Sequence, residues 1–188
     1  MDTFNKIRVS LLSLLCFLLS SHTSSQEKYF TRSGTIQFEA SVPSFEKIKA
    51  KNAKVTAIVN TKTGAIAALA LVKGFRFKIA LMEEHFNENY IESDRYPKAK
   101  FTGEIIDFKL ENSEIPKKYT VKGTLTLHGI SKPLEIITDI SQSTGKIELK
   151  ASFKVKAADF DIKIPSIVAK KIAETIDIEL DFELKPKK

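Results

Sequence analysis

The chain contains 188 residues, with a formal net charge of +7 and one cysteine, Cys16. The length favours a single domain that can bury a core of its own, and a lone cysteine excludes an intramolecular disulfide or a cysteine-based metal site. Because lysines are interspersed with acidic residues and form no one-sided basic stripe beside exposed aromatics, the composition argues against a nucleic-acid partner.

The N-terminus has the layout of a secretory signal peptide. Two basic residues precede an apolar run over 9–19, and small polar residues follow it. We expect cleavage before Gln26, so that residues 1–25 form a signal peptide and residues 26–188 form one periplasmic or secreted domain. The apolar run is shorter than the roughly 20 residues that a transmembrane helix needs.

From Thr35 onward, apolar and polar residues alternate with period two, which is typical of half-buried strands. Short connections rich in turn residues favour antiparallel pairing. We therefore predict an all-β fold, an antiparallel sheet of about eight strands that closes into an extended barrel. The predicted strands are Thr35–Ala40, Val55–Asn60, Ala65–Val72, Phe75–Ala80, Lys100–Leu110, Tyr119–His128, Leu134–Ile140, Lys146–Lys156 and Ile176–Leu184.

Two segments depart from this pattern. Apolar residues recur at helical spacing in Leu81–Tyr90 and in Pro165–Ala173, which predicts two short helices that cap an end of the barrel. Pro97 disfavours helix at the residue before it and cannot donate a strand hydrogen bond. The next strand is therefore predicted to begin at Lys98.

Few residues suggest catalysis. After the signal peptide the chain has two histidines, His85 and His128, and no zinc-type spacing. We interpret His85 as a partly buried, hydrogen-bonded residue of a lid, and His128 as a turn residue whose side chain fixes a hairpin. The acidic residues between 83 and 94 are interpreted as a solvated helix surface. Since nucleophile elbows and glycine-rich phosphate loops are absent, we predict no catalytic residue, no metal and no cofactor.

The apolar faces of the strands are therefore the candidate binding surface. A barrel of about eight strands is either filled by its own side chains or wide enough for one ligand. Small residues within strands, such as Ala67, Ala68 and Gly123, favour an open apolar channel. The candidate lumen residues are Phe38, Phe75, Phe77, Met82, Phe86, Phe101, Tyr119, Val121, Leu125, Phe153 and Phe182.

Two sequence blocks, Tyr96–Phe101 and Val121–Leu134, add a family resemblance. With these blocks, and from about Thr35 to Leu184, the chain resembles the YceI-like family. The resemblance implies a lipocalin-like antiparallel β-barrel, exported to the bacterial periplasm, that holds a long amphiphilic molecule such as a polyisoprenoid. It supplies no catalytic residue.

We therefore expect an exported, non-enzymatic protein that binds a lipid or isoprenoid, with the tail in the lumen and the polar head near one mouth. Lys98, Lys100 and Lys132 are candidates to meet an anionic head group. The membrane is expected only as the source of the ligand, and the oligomeric state stays open. Two alternatives also stay open: an exported stress-associated or interaction protein whose barrel is filled by side chains, and a lipid-modifying enzyme that uses His85 or His128.

Overall fold

The computed structural model describes residues 27–43, 45–111, 113–143 and 145–187. The predicted signal peptide and its cleavage site before Gln26 lie outside these residues. Within them, nine strands form: β1 (Lys28–Ser41), β2 (Lys49–Asn60), β3 (Ala65–Leu71), β4 (Arg76–Phe77), β5 (Lys98–Ile105), β6 (Lys117–Leu127), β7 (Ile130–Ser143), β8 (Lys146–Lys156) and β9 (Ile172–Pro186).

The strands form one antiparallel sheet that closes on itself. The order is β1-β9-β8-β7-β6-β5-β3-β2-β4, and β1 also pairs with β2. The β1–β2 pairing joins the two ends of an eight-stranded barrel, while β4 is an extra strand that pairs with β2 at Ala50 and Lys51. Closure leaves the barrel without the unpaired edges of an open sheet. The predicted all-β barrel of about eight strands is confirmed.

The first predicted helix is confirmed. Helix α1 (Ala80–His85) continues into a π-helical turn, Phe86–Tyr90, in which the Ile91 N–H donates to the Phe86 carbonyl at 2.9 Å. The next strand, β5, begins at Lys98, directly after Pro97, as the proline predicts. It ends at Ile105, so the strand predicted as Lys100–Leu110 is too long at its C-terminal end. We refer to residues 80–91 as the lid. Within the described ranges, no helix is long enough and apolar enough to cross a membrane.

The second predicted helix, Pro165–Ala173, is wrong. The backbone makes turns in which an N–H donates to the carbonyl three residues earlier, as Val168 does to Pro165 at 3.0 Å. Strand β9 then begins at Ile172. Ile172 already pairs with Ser41 of β1. The end of the predicted helix is therefore part of a strand. Several β-branched residues in this segment also weaken its helix propensity.

The predicted strand Phe75–Ala80 is shorter than expected. It is reduced to the two residues of β4, because a 3₁₀ turn, Val72–Gly74, precedes it and α1 begins at Ala80. A second 3₁₀ turn, Ala157–Phe160, follows β8. We refer to residues 157–171 as the β8–β9 segment.

The two faces of the sheet differ in chemistry. On the outer face, lysines pair with acidic residues of the neighbouring strand, as in Lys118–Asp139 at 2.8 Å and Lys122–Glu135 at 3.1 Å. Hydrogen bonds from Lys146 and Lys185 lower the pKa of the Glu183 carboxyl from its usual range. The inner face is apolar, and one end of the barrel is closed by buried side chains: Ile105, Tyr119, Ile140, Ile147 and Leu184.

Two glycines bring β5 and β6 close together. Gly103 and Gly123 face each other, and the Phe101 ring lies against them. A Cβ on Gly123 would lie 2.4 Å from the Thr102 carbonyl oxygen and 2.6 Å from Phe101 Cζ. Because the Thr102 carbonyl belongs to the backbone, a larger residue at position 123 would force the two strands apart.

We therefore expect Gly123→Ala to lower the free energy of unfolding by about 1–2 kcal/mol. Urea denaturation would measure the change, with Thr124→Ala on the outer face of the same strand as the control. A loss for Gly123→Ala no larger than that for the control would contradict the close strand contact.

Candidate functional site

The barrel encloses a cavity of about 530 Å³ between the inner faces of its strands. A volume of this size lies within the range of about 300–1,000 Å³ that is typical of ligand pockets. The inward residues of the strands form its walls, among them Ile66 and Ala68 of β3, Leu134 and Ile136 of β7, and Ile178 of β9. The interior of this barrel is therefore open along part of its length.

Ten of the eleven candidate lumen residues line the cavity. They come from six strands, from the chain beside β4 and from the lid: Phe38, Phe75, Phe77, Met82, Phe86, Phe101, Val121, Leu125, Phe153 and Phe182. Tyr119 does not line it. Its ring packs against Phe108 at 5.4 Å, and its hydroxyl donates to the Lys109 carbonyl at 2.8 Å. Tyr119 thus belongs to the closed end of the barrel.

The small residues of β3 divide between the two faces of the strand. Ala68 and Ala70 line the cavity, whereas Ala67, which stands between the lining residues Ile66 and Ala68, lies on the outer face. Ala67 is therefore not a lumen residue, and the prediction that it helps to form an open apolar channel is wrong. Lys98, Lys100 and Lys132 do not line the cavity either.

One end of the cavity is a mouth formed by three segments that connect strands. The β1–β2 loop contributes Phe45 and Ile48, and the lid contributes Met82 and Tyr90. The β8–β9 segment contributes several more, including Phe160. At the other end, the wall residues Leu149 and Phe182 each lie two positions from a residue of the closed core, Ile147 before Leu149 and Leu184 after Phe182. The cavity is thus a blind channel with a single described mouth.

Four phenylalanine rings attach the lid to the barrel. Phe86 of the lid lies 5.4 Å from Phe38, 5.2 Å from Phe77 and 6.0 Å from Phe75, measured between ring centroids. Tilted and edge-on aromatic contacts of this kind stabilise beyond the area that they bury. The Glu83 carboxylate adds polar links, since it accepts from Arg76 at 2.8 Å and from the Phe77 N–H at 3.1 Å.

The polar residues of the cavity lining are concentrated at the mouth. Of the forty lining residues, six are charged or polar, counting tyrosine. Thr138 is the one in the deep wall, and its hydroxyl is buried with no hydrogen-bond partner among the described residues. The other five lie in the β1–β2 loop, in the lid, at the end of β8 and at the end of the β8–β9 segment: Glu46, His85, Tyr90, Lys156 and Lys171. An apolar channel with a polar opening matches an amphiphile that enters tail first.

His128 links three parts of the mouth. It forms a two-residue hairpin turn with Gly129, in which both residues have positive φ, 50° and 76°. Its side chain is 8% exposed, with Nδ1 2.9 Å from the Phe160 carbonyl oxygen and Nε2 2.9 Å from the Glu92 carboxylate. The ring also stacks edge-on against Tyr96, with the centroids 4.5 Å apart. His128 is a turn residue as predicted, but its side chain joins the hairpin to the β8–β9 segment and to the chain after the lid.

The two histidines have opposite environments. Both ring nitrogens of His128 are engaged and the residue does not line the cavity, so it is not placed to act as a base on a bound lipid. His85 lines the cavity but is exposed, and its ring has no hydrogen bond within the described ranges. The predicted partly buried, hydrogen-bonded setting for His85 is therefore wrong. No group of three or more histidine, aspartate or glutamate residues in the described part is placed to hold a metal ion.

Solved structures with this architecture share low sequence identity with the chain. A polyisoprenoid binding domain from Saccharophagus degradans, implicated in plant cell wall breakdown, matches with a TM-score of 0.74 and 15% identity over 86% of this chain and 99% of that domain. BcnA from Burkholderia cenocepacia matches with a TM-score of 0.67 and 16% identity, over 80% of this chain and 95% of BcnA. A YCEI protein from Campylobacter jejuni matches with a TM-score of 0.63 and 17% identity, over 78% and 90%. These matches show a common fold.

Sequence comparison agrees with the structural one. The UPF0312 protein plu2095 of Photorhabdus laumondii is 34% identical over 83 residues, which span 41% of this chain and 40% of the relative. The chain thus matches less than half the length of that relative. A family model, described as the YceI-like domain, matches residues 20–184, nearly the whole chain. The chain therefore belongs to the YceI-like domain family.

Proposed function

We propose that this chain is an exported, non-enzymatic protein that binds a long-chain amphiphile, such as a polyisoprenoid, in the barrel. The observation that carries the proposal is the apolar, blind cavity of about 530 Å³ whose polar lining is concentrated at the mouth. The ligand's tail lies among the phenylalanines and aliphatic residues of the wall, and its head group lies at the mouth. The polyisoprenoid binding domain of Saccharophagus degradans, which shares the fold, supports a ligand of this class.

The energetics of such a site come mainly from the tail. Each buried Å² of apolar surface contributes about 25 cal/mol before the cost of ordering the ligand is subtracted. The head group is held more loosely, by side chains that keep contact with water. Lys156 and Lys171 are exposed at the mouth and have no ion pair within the described chain, so both are available to an anionic head.

We place the protein in the periplasm or outside the cell, on the basis of residues 1–25.

The open cavity favours this function over a barrel filled by its own side chains. A filled barrel would continue the close packing seen around Tyr119, Ile140 and Leu184 to the other end. Instead the packing stops at the level of Leu149 and Phe182, and the inner faces beyond them border the cavity.

The proposal is tested by extracting the purified protein with organic solvent and analysing the extract by mass spectrometry. We expect an amphiphile with one long hydrocarbon or isoprenoid chain, in an amount that approaches one molecule per protein. Recovery of no lipid from protein made in several hosts, together with no binding of added isoprenoids, would overturn the proposal.

A further inference from the structure

The mouth of the cavity carries apolar side chains that the barrel leaves in water. Phe45 is 44% exposed in the β1–β2 loop, Leu81 is 56% exposed on the lid, and Ile167 is 86% exposed in the β8–β9 segment. Each of these three segments also contributes residues to the cavity lining. Exposed apolar residues grouped around an opening are typical of a surface that contacts a partner.

The β8–β9 segment separates its apolar residues between two environments. Ile162, Ile164 and Val168 line the cavity, whereas Ile167 extends into solvent. The segment therefore has one side that belongs to the wall of the channel and one side that belongs to the outer surface of the mouth. A partner that contacts Ile167 lies directly beside the opening.

The charged residues nearest to Ile167 in the sequence are all basic. Lys163, Lys170 and Lys171 accompany it, whereas the acidic residues of the segment, Asp159 and Asp161, lie near its start. All three lysines are exposed, and none forms an ion pair with another described residue. Lysines on the outer faces of β6 and β8 behave differently, since they pair with acidic residues of the adjacent strands. The mouth thus presents unpaired cations around an exposed isoleucine.

We propose that the β8–β9 segment docks on the surface of an anionic lipid bilayer, with Ile167 inserted among the lipid chains. In this position the three lysines lie at the level of the lipid phosphates, where each cation gains attraction that salt screens. The blind cavity then opens toward the bilayer, so an apolar tail can pass between membrane and barrel with little exposure to water. This docking goes beyond the proposed function and rests on it only for the identity of the cargo.

Sedimentation with vesicles tests the docking, using the full purified chain and vesicles of phosphatidylglycerol and phosphatidylcholine or of phosphatidylcholine alone. Ile167→Asp is the test variant. Ile115→Asp is the matched control, because Ile115 is 79% exposed but precedes β6 at the closed end of the barrel. We expect Ile167→Asp to lower the partition coefficient on the anionic vesicles by about tenfold or more, with the control unchanged. Lys163→Gln with Lys170→Gln should remove most of the dependence on anionic lipid and on salt.

Three outcomes would overturn the docking: no binding of the unaltered protein to anionic vesicles, equal losses for the two isoleucine variants, or a change of oligomeric state for Ile167→Asp without a change in vesicle binding. The last result would assign the segment to contact between copies of the chain. Solvent extraction of the same variants separates this proposal from the previous one. Vesicle binding without any extractable lipid would overturn the carrier function alone, and bound lipid without vesicle binding would overturn the docking alone.

Discussion

Replacing Ala68 with tryptophan is expected to remove most of the bound lipid while the barrel stays folded. Ala68 lines the cavity wall on β3, opposite Phe101 of β5, and an indole at this position would occupy the space of the ligand's tail. We expect affinity to fall by at least about tenfold, since the apolar contacts of a long segment of the tail are lost. The ratio of extracted lipid to protein, measured by mass spectrometry, would report the change.

The neighbouring residue provides the control. Ala67 lies on the same strand but on the outer face, so Ala67→Trp adds the same side chain without entering the cavity. Lipid content should stay at the level of the unaltered protein. Leu134→Phe, on the cavity wall in β7, provides a smaller obstruction should Ala68→Trp disturb the fold. Full lipid content in both folded cavity variants would show that the lipid lies elsewhere.

Replacing His128 with leucine is expected to lower the free energy of unfolding by about 3 kcal/mol. The variant loses both hydrogen bonds of the imidazole and leaves the Phe160 carbonyl without its side-chain partner. Because His128 connects the β6–β7 turn to two other parts of the mouth, we also expect faster amide hydrogen exchange in the lid and in the 3₁₀ turn at Ala157–Phe160. Denaturation and hydrogen-exchange mass spectrometry would measure the two effects.

His85→Leu is the matched control for this prediction. It is the same substitution at an exposed histidine without a side-chain hydrogen bond among the described residues, so its effect should stay within about 0.5 kcal/mol. Glu92→Gln should cost less than His128→Leu, because the amide of glutamine can donate to Nε2 of a neutral ring. Similar stabilities of the His85 and His128 variants would contradict the linking role of His128.

The strands could be predicted because their signal is local. Alternation in β6, β8 and β9 assigns each residue to the inner or outer face, and the inner residues are the ones found at the cavity or in the core. The alternation does not show how far along the barrel axis an inner residue lies. Tyr119 and Val121 share the inner face of β6, yet Val121 borders the cavity and Tyr119 lies in the closed end.

The mouth was harder to predict, because its residues come from connections without a regular period. Glu46, Lys156 and Lys171 lie beside the cavity only because the barrel brings the β1–β2 loop and the β8–β9 segment to the same end. The spacing of Ile164, Ile167, Val168 and Ile172 identified a shared side only in part, since Ile167 extends into solvent while the other three line the cavity. This spacing predicts a helix because both a helix and successive turns bring residues four apart to one side.

A crystal structure of the protein, purified without organic solvent, tests the central claim most directly. We predict continuous electron density for one long-chain molecule inside the barrel, with its tail end between Leu149 and Phe182 and its head group near Lys156 and Lys171 at the mouth. A cavity that is filled by the protein's own side chains, or one that stays empty when crystals are grown with an isoprenoid amphiphile, would contradict the account.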